Sequence, residues 1–460
     1  MSEYQFSSLS LIPELQNNLE SLGFNSMTAI QAQSLPMILS GKDVIAQGQT
    51  GSGKTAAFGL GILNKLDVKL FKVQSLVLCP TRELAEQVSG EIRRLARGVA
   101  NVKVVTVYGG TPIKAQAASL EKGAHIVVGT PGRIDDHLTK GSLDLGNMST
   151  LVLDEADRML DMGFQKTLEA IIDAVPAKRQ TLLFSATYPK GIKAIADKIM
   201  QNPSMAEVAP TQDTVRVDQA FFLVDNEQDR LESLKLLLLD NAGKQSVVFC
   251  NTRQNSQSVA GGLKSAGFSA AALHGDMEQK DRDQTLIRFS NGSINVLVAT
   301  DVAARGLDID SLELVFNYHL PRELEVYTHR IGRTGRAGEK GQACSLFQVS
   351  EQFRIDQLED YLAMDIRPAN LPPVEMLSQS PERPKMSTLR VEGGKRQKLR
   401  PGDLVGALTK ADEINGNNLG KIQVMDNWAY VAVDRPLAKR ALEQLSKGKI
   451  KGKSFRARLI

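Results

Sequence analysis

The chain has 460 residues, 42% hydrophobic and 23% charged, which is ordinary globular usage and excludes collagen-like, mucin-like or wholly disordered chains. At roughly 150 residues per domain this predicts about three domains, each able to bury a core without covalent staples. The net charge of +4 is unevenly spread: residues 383–460 hold 18 Lys plus Arg against 7 Asp plus Glu, and the rest hold 38 against 45. The last module is therefore expected to be drawn to a polyanion. Cys79, Cys250 and Cys344 form no metal-spaced pair, so no disulfide scaffold or cysteine zinc site is expected and a reducing cytoplasm is the default. No secretory leader and no membrane span is expected, because no basic start precedes an apolar run and no stretch approaches about 18 apolar residues.

Residues 1–208 alternate apolar runs with amphipathic helices, predicting strands at 43–46, 75–79, 103–108, 125–129, 150–154 and 180–185. Helices are predicted at 82–97 and 164–175, and strands alternating with helices imply a parallel α/β sheet. A polar segment over 201–215, with Pro203 and Pro210, reads as a linker. Residues 215–365 repeat the pattern, with strands at 215–224, 245–250, 270–273, 295–299, 314–318 and 341–346. Gln74–Arg82 and Gln245–Arg253 agree at six of nine positions, each running from an apolar strand into a Thr-Arg end, which favours two similar lobes. Proline-rich residues 366–385 read as a stiffer linker. Residues 386–460 then run β-α-β-β-α-β, with strands at 386–392, 420–425, 428–434 and 454–459 and helices at 402–414 and 437–446. That order is the split βαβ fold used by many RNA-recognition modules.

Gly48-Gln49-Thr50-Gly51-Ser52-Gly53-Lys54-Thr55 follows a predicted strand and precedes a helix. In such a loop the glycines, Gly51 and Gly53 among them, let backbone N–H groups cradle phosphates. Lys54 reaches the β- and γ-phosphates, and the Thr55 hydroxyl ligates Mg²⁺. Asp154-Glu155-Ala156-Asp157 ends the apolar run 150–153. Asp154 is placed to hold Mg²⁺, Glu155 to orient and deprotonate an attacking water, and Asp157 to make a supporting or lobe-bridging contact.

These segments resemble those of the DEAD-box RNA helicases over residues 1–365, with the motifs in family order. The resemblance implies two tandem RecA-like lobes: 1–208 binding ATP and 215–365 as the C-terminal helicase domain, ahead of the small RRM-like domain at 386–460. It implies that Gln31 reads adenine, supported by Phe6 and Phe24, although Ala29 stands where the family more often has proline. Thr81-Arg82, Gly110 and Thr130 with Arg133 match first-lobe RNA contacts, and Arg253 and Thr300 match second-lobe ones. Ser185-Ala186-Thr187, with Asp157 and His329, matches the elements linking hydrolysis to RNA displacement. Gly306 and Asp308 would meet the nucleotide, and Arg333 and Arg336 would be arginine fingers. If so, hydrolysis requires both lobes, RNA activates it, and contacts to phosphate and ribose leave the core unselective in sequence.

In the last domain Trp428 and Tyr430 share one side of a strand, serving either base stacking or core packing. Lys395 and Arg396 begin one basic cluster, and Lys447, Lys449, Lys451 and Lys453 form another. Both read as an anchor for structured RNA. The whole arrangement is similar to the bacterial subfamily specific for 23S ribosomal RNA. That implies an ATP- and Mg²⁺-dependent monomer locally remodelling 23S rRNA in 50S assembly intermediates, with no membrane partner. A general helicase in mRNA decay or cold adaptation, and an ATP-dependent RNA clamp, stay open beside it.

Overall fold

A computed structural model describes all residues except 1–3, 49–50, 189, 209–216, 305–311, 336–340 and 411–412. The first seven strands are β1 (Val44–Gln47), β2 (Ser75–Leu78), β3 (Val104–Val107), β4 (Ile126–Gly129), β5 (Thr150–Asp154), β6 (Gln180–Ser185) and β7 (Ser204–Glu207). They form one sheet in the order β3-β4-β2-β5-β6-β1-β7, and every pairing is parallel. A sheet covered by helices on both faces needs apolar residues at nearly every position, and these strands supply them. Along β5, Val152 faces one buried cluster while Leu151 and Leu153 face the other. Each such side chain taken from water contributes about 1.5–3 kcal/mol.

The strand β7 falls inside the segment read as a linker. It is a polar edge strand with a single buried residue, Ala206, so it carries no apolar run to betray it.

The second lobe contains β8 (Val217–Val224), β9 (Ser246–Cys250), β10 (Ala270–Leu273), β11 (Val296–Thr300), β12 (Leu314–Asn317) and β13 (Gly341–Gln348). Their order, β10-β11-β9-β12-β13-β8, reproduces that of the first lobe without its extra edge strand. The nine-residue repeat therefore marks equivalent strands, β2 and β9. Each is followed by a threonine whose hydroxyl caps a helix: Thr81 accepts from the Leu84 N–H and Thr252 from the Asn255 N–H.

After β13 the chain does not leave freely. The Ala369 N–H donates to the Phe221 carbonyl at 2.7 Å, seating the start of the proline-rich segment along β8. The last domain contains β14 (Met386–Val391), β15 (Leu419–Val424), β16 (Ala429–Asp434) and β17 (Ala457–Leu459), ordered β15-β16-β14-β17 and antiparallel throughout. Helices Pro401–Leu408 and Ala438–Lys447 cover one face around Leu389, Val391, Leu404, Val431 and Leu445. The first of these ends earlier than the 402–414 expected. Elements through Glu207 belong to one compact unit, and those from Val217 onward to a second that includes the last domain.

Candidate nucleotide and RNA sites

Parallel α/β sheets place ligands beyond the carboxyl ends of their strands, because loops and helix N-termini converge there. Beyond β1, Gly51 and Gly53 adopt φ of 86° and 90°, a left-handed turn that glycine makes without strain. A Cβ at Gly53 would also collide with the Gln31 carboxamide. Gln31 is built into the site through both ends of its side chain. Its Oε1 accepts from the Thr28 N–H at 2.9 Å, and its Nε2 donates to the Gly53 carbonyl at 3.0 Å. The Thr28 hydroxyl adds a bond to the Ser52 carbonyl at 2.7 Å. Gln31 thus braces the phosphate loop, a role beyond the adenine reading expected of it. Phe24 is half-buried, edge-on to Phe6 at 5.9 Å, with the Arg94 guanidinium 5.2 Å from its ring centre.

Lys54 opens the helix Lys54–Asn64, followed by Thr55, and its buried ammonium donates to the Gly48 carbonyl at 2.6 Å. Burial pushes the Lys54 pKa down, while Asp154, Glu155 and Asp157 pull it back up. Asp154 ends β5 and is 3% exposed. Burial, reinforced by the neighbouring Glu155, raises its pKa to about 7, against the opposing field of Lys54. A buried carboxylate pair under such strain fits a divalent cation, which would relieve both the desolvation and the repulsion. Thr55 and Asp154 are the residues that would hold it.

Glu155 sits at φ 51°, which turns the chain directly from strand into helix. Its carboxylate pairs with buried Arg158 at 2.9 Å. Arg158, one residue past the acidic tetrad, carried no signal in the sequence beyond its position. Asp157 is buried, which pushes its pKa up, but hydrogen bonds from Thr187 and Ser185 outweigh this and hold it below the ordinary value. The Thr187 N–H and hydroxyl both reach Asp157 Oδ2 at 2.9 Å. The Asp157 N–H faces the Ser185 hydroxyl at 3.4 Å. The acidic tetrad and the Ser-Ala-Thr segment therefore form one hydrogen-bonded unit.

The order β3-β4-β2 brings the expected first-lobe RNA contacts side by side. Arg82 follows β2, Gly110 follows β3, and Thr130 with Arg133 follow β4. The Arg82 guanidinium lies so close over Gly110, at φ 80°, that a Cβ there would collide with it. Arg133 donates to the Thr111 carbonyl at 2.9 Å and to Gln116 at 3.0 Å, fixing the same loop. In the second lobe Arg253 and Thr300 follow or end the paired strands β9 and β11. Arg253 is exposed and pairs with both Asp276 oxygens at 2.6 Å.

His329 lies on helix Leu324–Ile331, and Arg333 is buried just beyond it. Between them Arg330, assigned no role from sequence, is 1% exposed and joins four elements. It pairs with Asp301 at 2.6 Å and bonds Asn251, Asn317 and the His319 carbonyl. Gly306, Asp308 and Arg336 lie outside the described residues.

The last domain departs from the stacking expectation. Tyr430 is 1% exposed, so its ring is a packing group here. Trp428 is half-buried, and two cations, Arg390 and Lys280, already lie 4.9 Å and 5.6 Å from its ring centre. Lys280 comes from the second lobe, on helix Gln279–Ser290, which also places Asp283 where its charge reaches Tyr430. Lys395, Arg396, Lys447, Lys449, Lys451 and Lys453 are all exposed. The fold merges the two basic clusters: the Lys451 ammonium reaches the Lys398 carbonyl at 3.2 Å.

Comparison with known proteins agrees with this geometry. Residues 28–195 match the DEAD/DEAH box helicase model, 229–338 the helicase conserved C-terminal domain, and 388–459 the DbpA RNA binding domain. The chain is 50% identical to the ATP-dependent RNA helicase DbpA of Escherichia coli over 456 residues, covering 99% of both chains. It is 37% identical to the Bacillus subtilis protein of the same name, covering 98% of both. A solved structure of Saccharomyces cerevisiae Dbp5 bound to RNA and ADP BeF3 matches with a TM-score of 0.72 and 32% identity, over 80% of this chain and 96% of that one. The chain belongs to the DEAD-box family of ATP-dependent RNA helicases and carries a DbpA-type RNA-binding domain.

Proposed function

We propose that this helicase locally remodels 23S ribosomal RNA during assembly of the large ribosomal subunit, acting in the cytoplasm as a monomer. Its C-terminal domain would hold one rRNA hairpin while the motor opens neighbouring helices. The observation that carries this reading is the merged basic patch of Lys395–Lys398 and Lys447–Lys453, within a domain matched over 388–459 to the DbpA RNA-binding model. Contacts in the motor to phosphate and ribose carry no sequence code, so selectivity must come from outside it.

The hydrolytic step follows from the chain's own groups. Backbone N–H groups beyond β1 and the Lys54 ammonium would bind the phosphates of ATP. Thr55 and Asp154 would hold Mg²⁺, which would supply neutralisation of the phosphate charge. Glu155, oriented by Arg158, would accept the proton of the attacking water. Arg333 and Arg336 would stabilise the charge that develops on the γ-phosphoryl oxygens. Asp157 binds Thr187, so rearrangement at the tetrad reaches the Ser-Ala-Thr segment through two hydrogen bonds.

The test is the steady-state ATPase rate against RNA concentration for three RNAs: a 23S hairpin fragment, the same fragment with a scrambled loop, and poly(A). Activation at low concentration by the intact hairpin alone supports the reading. Equal activation by all three refutes the ribosomal specificity.

A further inference from the structure

Beyond β3 the chain passes through Gly109-Gly110 to Thr111 and then enters helix Ile113–Glu121. Gln116, in the first turn of that helix, is 8% exposed and makes four hydrogen bonds with its carboxamide. Its Nε2 donates to the Tyr108 carbonyl at 2.9 Å and to the Thr111 hydroxyl. Its Oε1 accepts from Arg133 Nη1 at 3.0 Å and faces His137 Nε2 at 3.1 Å. A carboxamide has two donor hydrogens and two acceptor lone pairs, so every one is used. Arg133 and His137 both lie on helix Pro131–Thr139, so this one side chain ties the loop after β3 to the helix after β4.

The chemistry of the partners fixes which way the carboxamide points. Arg133 can only donate and the Tyr108 carbonyl can only accept, so Oε1 must face the first and Nε2 the second. An oxygen cannot donate to His137. That ring therefore carries its proton on Nε2 and takes the Ser142 hydroxyl, 2.7 Å away, on Nδ1. His137 is fully buried; burial, and after it the neighbouring Arg133 charge, lowers its pKa and favours the neutral ring. Arg133 in turn uses Nη1 on both Gln116 and the Thr111 carbonyl, at 2.9 Å, which sets the plane of its guanidinium.

We propose that Gln116 is a positioning residue for the RNA grip of the first lobe: held by the Nε2–H tautomer of His137, it fixes Arg133 and the Tyr108–Thr111 loop as one unit before RNA arrives. The inference rests on the motor meeting phosphate and ribose through Arg133 and Gly110. A group already ordered by folding need not be ordered again on binding, so the bracing is felt as RNA affinity. Without Gln116 the arginine keeps its charge and loses its fixed direction. The chemistry at Glu155 and Lys54 is untouched.

The test uses the full chain and the RNA dependence of its steady-state ATPase, with a 23S hairpin fragment bearing a single-stranded flank. Gln116→Met, close in volume, removes all four bonds. It is expected to raise the RNA concentration for half-activation about tenfold, with the rate at saturating RNA held within about twofold and the RNA-free rate unchanged. The His137 variants separate positioning from packing. His137→Gln returns an N–H close to the Nε2 position and is expected to match the wild type. His137→Leu fills the space without a donor and shifts half-activation in the same direction as Gln116→Met, by less. Unchanged half-activation in Gln116→Met, or equal behaviour of the two His137 variants, overturns the proposal. If Gln116→Met loses its RNA-free rate as well, it has misfolded, and the His137 pair decides. A long-range ¹H–¹⁵N spectrum reads the tautomer directly, and a proton on His137 Nδ1 overturns the assignment. Arg133→Gln tests the reading underneath. If it activates like the wild type, Arg133 does not meet RNA and the motor-contact reading falls together with the proposal. A weakened Arg133→Gln beside a normal Gln116→Met strikes the positioning role alone. If the wild type fails to prefer the hairpin over its scrambled form, the ribosomal specificity fails, while the half-activation shift, measured with either RNA, still decides Gln116.

Discussion

Arg330 donates five hydrogen bonds, and replacing it by methionine roughly keeps the volume while removing every donor. In the native fold its guanidinium meets Asp301 at 2.6 and 2.8 Å, the His319 carbonyl at 2.6 Å, Asn251 at 2.9 Å and Asn317 at 3.2 Å. Asp301 is 24% exposed, so Arg330→Met strands a partly desolvated carboxylate together with three neutral acceptors. Breaking one side of a buried pair costs about 3–5 kcal/mol. Asp301→Asn should cost a similar amount, because it leaves the more deeply buried partner, 1% exposed, without its counter-charge. The double variant strands neither charge, so the cycle should show a coupling of about 2 kcal/mol. Trp428 is the only tryptophan in the chain and lies in the same compact unit, so urea melts followed by its fluorescence read this unit selectively. Destabilisation of either single variant by less than about 1 kcal/mol, or strict additivity, would refute the assignment of Arg330 as the charge-paired hub.

Glu155→Gln should lower the rate of ATP hydrolysis by about 10²–10⁴-fold with nucleotide affinity retained, since it removes only the proton acceptor; rapid-quench kinetics with equilibrium nucleotide titration separate the two. Asp154 gives a pH signature. Its folded pKa of about 7 lies above the ordinary 3.8, so the native state binds the extra proton and loses stability as pH rises from 4 to 7. Without nucleotide or metal, Asp154→Asn should therefore be more stable than the parent at pH 8, by up to a few kcal/mol in circular-dichroism melts, yet lose the Mg²⁺-dependent part of nucleotide affinity. A less stable variant at pH 8 contradicts the burial argument. Asp157 behaves oppositely: its depressed pKa contributes stability above the unfolded value, lost as pH falls through the folded one. Thr187→Val removes one of its two hydrogen bonds from that residue, and should keep ATPase within a few-fold while strand displacement falls by at least tenfold in a short-duplex assay.

The phosphate loop and the acidic tetrad were legible because their chemistry is local: a glycine turn, a lysine and two carboxylates each sit within one strand end and the helix after it. Contacts made through strand order were not. Nothing in the spacing of Arg82, Gly110 and Arg133 says that their loops are neighbours, which follows only from the order β3-β4-β2. Gln31 shows the intermediate case, since the spacing Thr28-x-x-Gln31 is a capping box, but its second bond to Gly53 is tertiary. Strand alternation placed Trp428 and Tyr430 on one side, but it is silent on what covers that side. Helix Gln279–Ser290 does so, and a buried aromatic stripe has the same period whether it packs against protein or stacks on a base.

The duplication sharpens what differs between the lobes. Thr81-Arg82 and Thr252-Arg253 end equivalent strands and make equivalent helix caps, so the two arginines leave the backbone in the same way. Their surroundings then diverge. Arg82 is half-buried over Gly110, held where side-chain entropy has already been lost on folding. Arg253 is 67% exposed and satisfied by Asp276, itself 56% exposed. An exposed pair of this kind contributes about 0–1 kcal/mol, so a phosphate exchanges with Asp276 at little cost, and added salt weakens both contacts together. If both arginines meet RNA, as the proposed function requires, the first lobe presents a preset contact and the second a replaceable one. The repeated strand end supports both arrangements because its neighbours, rather than its own sequence, set how firmly the arginine is held.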